Sequence, residues 1–124
     1  RPAPQVTVVP GITSIQALTA AHAIPLNEIN GPVMVTTGRR LRDDGFPPGT
    51  DTCVVMLDGE CSFQSLPPDG LEIWWAGFAG MPEQITERGP LAEAGPRILE
   101  RRAAARAEHG WIMDIYLLRR TAQA

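Results

Sequence analysis

Val6-Thr7-Val8-Val9-Pro10-Gly11-Ile12-Thr13-Ser14-Ile15, continuing through Gln16-Ala17-Leu18-Thr19-Ala20-Ala21-His22 to Leu26, is the stretch on which the reading of the fold turns. Val6 to Val9 is β-branched throughout and predicts a buried strand. Pro10-Gly11 is expected to stop it, because proline donates no ladder hydrogen bond and glycine reaches backbone angles that other residues avoid. Thr13 or Ser14 is placed to cap a helix. Ile15, Leu18, Thr19 and His22 then share one helical face. A strand ending in a tight turn before a helix leaves backbone N–H groups free, and that suits a ligand at the carboxyl end of the strand. On pattern alone, an ordinary strand–turn–helix unit explains the stretch as well.

Further along, Val33 to Thr37 predicts the next strand, ended by Gly38 and followed by Arg39, Arg40 and Arg42. Asp43 to Asp51 is rich in Gly, Pro and Asp and reads as an exposed loop. Thr52 to Leu57 is almost wholly apolar, as a strand buried on both faces would be. Asp58-Gly59-Glu60 turns the chain, and Phe63 and Leu66 anchor a short helical turn. Leu71 to Ala76 predicts a fourth strand, and Gly77 to Pro82 a Gly-rich loop. Gly95-Pro96 is expected to open one long helix, with proline at its first position, running to His109 and stopped by Gly110. Trp111 to Leu118 predicts the closing strand. Strands alternating with helices or loops give an α/β (α+β) class, with parallel and mixed pairing both open.

The chain is long enough for one domain spanning residues 1–124 with its own core, and 44% of its residues are hydrophobic. A net charge of −3 leaves no basic footprint for nucleic acid. All 11 cations are arginine. Residues 2–26 carry no formal charge, but proline, glycine and polar residues interrupt them, so a membrane span is not expected. Nothing resembling a signal peptide opens the chain, and Cys53 and Cys61 lack a zinc-type spacing, so reduced thiols in a cytoplasmic protein without a metal site are expected. His22 reads as a helix-face residue rather than a base. The arginines of the long helix read as a solvated outer face.

The motif V-V-P-G-I-T-S, with A-x-x-I-P-L after it, resembles the tetrapyrrole (corrin/porphyrin) methylases. Thr36 to Leu41, Val55 to Glu60, Trp75 to Glu83 and Gly110 to Arg120 are similar to the deacetylating precorrin methyltransferases within that family. The resemblance covers nearly the whole chain, yet only the C-terminal half of such an enzyme; the Gly-rich G-x-G-x-P-G motif of the amino half does not occur here. Residues 1–11 then correspond to the end of an inter-domain strand and its turn. The resemblance implies a mixed sheet of about five strands flanked by helices, S-adenosylmethionine as cofactor in a cleft between two domains, and an anionic precorrin as substrate. The implied reaction is methylation of ring carbon C1 with loss of acetate, in a pathway to cobalamin. The missing N-terminal domain is the implied partner, and the isolated chain is expected to be inactive. Two alternatives stand beside this: a methylase of another precorrin position, and an interaction domain that forms a homodimer through apolar surface normally covered by its other half.

Methyl transfer from a sulfonium needs placement more than acid–base help, so backbone turns and apolar walls suffice. By resemblance, Pro10, Gly11, Thr13 and Ser14 contact the cofactor. Met56 and Leu57 match a Tyr-Met pair at a strand end, with Leu57 standing where the family has methionine. Ala79 and Gly80 match a further cofactor loop. Without the resemblance, Met56 and Leu57 read as plain core. Arg39 and Arg40, beside Thr37, carry guanidinium groups that suit the substrate's carboxylates; an exposed loop is the alternative. Asp58 and Glu60 form a close carboxylate pair suited to activating the water that releases the acyl group. The alternative there is a turn capped by Asp58.

Overall fold

The computed structural model describes residues 10–26 and 31–121, with the side chains of 10–14 excepted. The strand expected at residues 6–9 and most of the polar turn at 27–32 lie outside the described residues. The elements are α1 (Pro10–His22), β1 (Val33–Thr37), α2 (Gly38–Asp44), β2 (Thr52–Met56), a 3-10 turn (Ser62–Ser65), β3 (Leu71–Gly77), β4 (Ile85–Pro90), α3 (Leu91–His109) and β5 (Asp114–Arg120). The sheet order is β1-β2-β5-β3-β4. β1 and β2 are parallel; β5 runs antiparallel to both β2 and β3, and β4 antiparallel to β3. The mixed α/β sheet implied by the resemblance is therefore present.

Strand alternation sorts the core onto two faces. Cys53, Val55, Ile73, Trp75, Tyr116 and Leu118 pack on one face against Leu41 of α2, Phe63 of the 3-10 turn, and Leu91, Ala94 and Ile98 of α3. Val54, Trp74, Ala76, Ile115 and Leu117 pack on the other against Leu18 of α1. Residues Thr52–Val55 of β2 are buried, as an apolar run on a central strand requires.

Four details differ from the sequence expectations. α1 already includes Pro10, so Pro10-Gly11 is the first turn of the helix and Thr13 and Ser14 lie inside it rather than capping it. Pro10 suits that place, since its missing N–H is one that a helix start leaves unpaired anyway. Residues 38–44 form a helix rather than a loop, capped by Thr37, whose Oγ1 accepts from the N–H of Arg40 at 3.3 Å. Ile85–Pro90 is a strand that the sequence did not announce. α3 begins at Leu91, so Pro96 lies inside it. Burial of Leu91, Ala94, Gly95 and Ile98 on one face outweighs the hydrogen bond lost at Pro96, which falls on the exposed side.

Candidate functional site

Because β1 and β2 are parallel and β5 opposes both β2 and β3, the carboxyl ends of β1, β2 and β3 open onto one edge of the sheet. That edge carries Thr37, Met56 and Gly77. α1 turns its N-terminal end toward the same edge. Its His22 Nε2 donates to the carbonyl of Trp75 at 3.0 Å, while Ala17, further back along the helix, lies beside Gly80 beyond the end of β3. The first turn of α1, with Pro10, Gly11, Thr13 and Ser14, continues toward the same edge. Burial lowers the pKa of His22, the hydrogen bond to Trp75 opposes that, and the charge of Arg88 adds to it. His22 is thus a buried packing residue on the helix face.

The backbone leaves β2 and β3 in the same unusual way. Leu57 and Phe78, each the first residue after its strand, sit in the left-handed region at φ 54° and 53°. Cys61, at 52°, follows in the turn after β2. Side chains rarely adopt this conformation, and it concentrates where a loop is held for function. Leu57 is 84% exposed, a large apolar side chain standing into solvent. Met56 and Ala79 are half-buried and pack against the α1-side core. Gly80 needs its glycine: its φ is +79°, and an added Cβ would press on Ala17. Trp111 and Met113, before β5, are also about half exposed, at 47% and 49%. The ring of Phe78 meets Trp111 and His109 edge-on at 5.0 Å each, which anchors that segment beside the strand ends.

Asp58 behaves differently from its neighbour. Its carboxylate accepts from the Ser62 N–H at 2.6 Å, from Ser62 Oγ at 2.7 Å and from the Tyr116 hydroxyl, and Arg42 Nη1 stands 3.8 Å away. The side chain is 3% exposed, so it faces no open cleft. Burial first, then the hydrogen bond to Asp58, push the Tyr116 hydroxyl far above its ordinary pKa. The arrangement is the capped turn given above as the alternative to a base. Glu60 is exposed and pairs with Arg42 at 3.3 Å. Gly38 is a residue whose role sequence reasoning missed: a Cβ there would lie 2.1 Å from Asp58 Oδ1. Only a backbone without a side chain lets β1 and α2 approach this carboxylate.

Arg39 and Arg40 lie on the first turn of α2, highly exposed, in i,i+4 pairs with Asp43 at 3.9 Å and Asp44 at 3.3 Å. Asp114 forms a second polar cluster, also missed. Its Oδ2 accepts from Trp75 Nε1 at 2.8 Å and from Arg102 Nε at 2.9 Å. Cys53 and Cys61 are free thiols; burial pushes Cys53 up to about 11. Within the described residues, no helix is long and apolar enough to cross a membrane.

The family profile described as Tetrapyrrole (Corrin/Porphyrin) Methylases matches residues 1–95. The chain belongs to this family. It is 56% identical over 115 residues to a protein named Precorrin-6A synthase [deacetylating] from Sinorhizobium sp, spanning 93% of this chain and 44% of that relative. The crystal structure of a cobalamin synthesis related protein (CobF) from Corynebacterium diphtheriae superposes with a TM-score of 0.82 at 38% identity, covering 88% of this chain and 45% of that one. A uroporphyrin-III-C-methyltransferase structure from Thermus thermophilus, at 15% identity and a TM-score of 0.50, shares the fold. The chain thus spans less than half the length of the relatives it matches.

Proposed function

We propose that this chain is the C-terminal domain of an S-adenosylmethionine-dependent precorrin C-methyltransferase, most like the deacetylating precorrin-6A synthases, and that residues 1–11 lead into it from a preceding domain. The observation that carries this reading is the strand-end edge, where Leu57 and Phe78 hold left-handed turns on either side of β5 and the apolar Leu57 stands exposed. The 56% identity to a named precorrin-6A synthase supports it. The residues fit one wall of a cofactor site: Met56, Leu57 and Ala79 offer an apolar surface, and the turns at 57 and 78–80 offer close backbone approach. The bound cofactor supplies an already activated methyl group. This chain's part is to hold and orient it and to exclude water from one side. The rest of the cleft comes from the portion of the parent that this chain does not span.

Arg39 and Arg40 orient the anionic macrocycle in this reading, beside Thr37. Exposed i,i+4 pairs are worth little, so exchanging Asp43 and Asp44 for substrate carboxylates costs little. Asp58 acts as a positioning residue that fixes the turn carrying Leu57. Glu60 is the carboxylate of that turn left at the surface for a proton-transfer role.

Calorimetry with S-adenosylhomocysteine, on this chain and on the full-length parent, tests the reading. Binding by the parent alone supports a split site, and binding by neither overturns the methyltransferase assignment. A second reading follows from the exposed Leu57, Trp111 and Met113 near the strand ends: the isolated chain associates with a second copy through these apolar side chains. Sedimentation of the chain as a monomer at micromolar concentration eliminates it.

A further inference from the structure

Of the arginines among the described residues, Arg106 alone has a side chain in no ion pair, hydrogen bond or ring contact. The others hold aspartates or glutamates (Arg39, Arg40, Arg42, Arg97, Arg101, Arg102), lie over an aromatic ring (Arg88, Arg120), or reach Thr52 and backbone carbonyls (Arg119). Arg106 instead lines two adjoining clefts between the last turns of α3, the 59–61 turn and the chain entering β5. The larger, about 480 Å³, runs over Cys61 and Leu99; the smaller, about 300 Å³, runs over Gly59, Ile112 and Trp111. Both are open to solvent and wide enough to admit a small ligand.

The carboxylates around these clefts are all taken by other arginines. Arg102, one turn before Arg106 on the same helix face, also lines both clefts, but its guanidinium is committed to Asp114. Glu60 is drawn away to Arg42, and Glu108 sits two residues on, where it does not share the face of Arg106. With Asp58 and Glu60 beside Arg42 and Asp114 held by Arg102, Arg106 is the guanidinium of this cleft left without a carboxylate, next to the apolar wall of Leu99, Ala103 and Ala107. At the rim stands Trp111, half exposed, its ring held edge-on by Phe78.

We propose that this α3–β5 cleft binds a carboxylate, with Arg106 supplying the forked pair of N–H donors and Trp111 the wall against which the apolar part of the ligand lies. The site is distinct from the Arg39–Arg40 surface and does not rest on the methyltransferase reading. The carboxylate belongs either to a free small acid or to the side chain of a larger ligand.

Sodium propionate added to the ¹⁵N-labelled chain, against sodium chloride at equal ionic strength, tests the site by NMR. Saturable shifts of the Arg106 Nε–Hε and Trp111 indole signals are expected, with a low-millimolar midpoint and no response to chloride. Arg106→Gln should raise the midpoint at least tenfold, and Arg106→Lys severalfold, since the charge remains but the fork is lost. Arg101→Gln, on the same helix but tied to Glu87, should leave it unchanged. Equal shifts with chloride, or an unchanged midpoint in Arg106→Gln, overturn the proposal. An octacarboxylate porphyrin added in competition separates the sources. Displacement of propionate at tenfold lower concentration identifies a side-chain carboxylate; failure to displace it identifies a free acid.

Discussion

Asp58 and Glu87 are both carboxylates that tie one element to another, and they do so in opposite ways. Asp58 is sealed among a serine, a tyrosine and the edge of an arginine at 3% exposure. Glu87, on the edge strand β4, is held by two charged groups, Arg97 at 3.0 Å and Arg101 at 3.1 Å, near solvent. The same two arginines also donate to the carbonyls of Arg88 and Thr86, which clamps α3 along the edge strand. The lesson is that the number of ion pairs is a poor guide to worth. A buried acceptor that satisfies several buried donors carries more of the fold than a half-buried carboxylate with two cations near solvent.

The sharpest way to break this contrast is to remove the buried carboxylate. Asp58→Ala leaves the Tyr116 hydroxyl and both Ser62 donors buried and unpaired, and should cost about 3–5 kcal/mol in urea-unfolding stability. Gly38→Ala approaches the same loss from the other side, by forcing a Cβ onto Asp58, and should cost about 3 kcal/mol. A cost for either under about 1 kcal/mol would refute the view that the buried Asp58 holds this turn in place.

Glu87→Gln should cost no more than about 1 kcal/mol. Its pH signature sharpens the comparison. Burial alone would raise the Glu87 pKa, but the hydrogen bonds and charges of Arg97 and Arg101 outweigh it and lower it below its ordinary 4.5. The unfolded chain therefore binds the proton more readily. The contribution of Glu87 is complete above pH 4.5 and fades as pH falls through the lower folded value. Acid-unfolding curves of the wild type and Glu87→Gln should converge below that range. Arg39→Ala, removing one exposed i,i+4 pair, should change stability by less than about 0.5 kcal/mol, so any loss of substrate affinity in the full-length parent reports binding alone.

Much of the frame was readable because local pattern and tertiary demand agree. The apolar run expected at 52–57 is a central strand over Thr52–Met56, buried at 52–55, with Leu57 outside it and exposed; Phe63 anchored a 3-10 turn, and Leu18 and His22 fell on the buried face of α1. The failures share a cause. Ile85–Pro90 contains Glu87, Arg88, Gly89 and Pro90, poor strand formers; it is a strand because β3 offers a ladder and two arginines of α3 clamp it. Pro96 is a strong signal for a helix start, but the packing of Leu91 and Ala94 extends α3 backward past it. At the strand-end edge, the sequence pattern placed Thr37 and Met56 close to the ends of their strands, while Met56, Leu57, Ala79 and Gly80 were singled out by family resemblance. The left-handed turn at Leu57 and the need for Gly38 were not, because each depends on contacts distant in sequence.

The sheet order also governs how the molecule is made. β5, the last of the described strands in chain order, lies between β2 and β3. Until Asp114–Arg120 emerges, two apolar strands already synthesised present open edges to each other and to neighbouring chains. Assembly is therefore forced to be late and non-local, which slows it and exposes it to aggregation. A chain interrupted before Asp114 lacks the strand that joins the two halves of the sheet, rather than merely a tail.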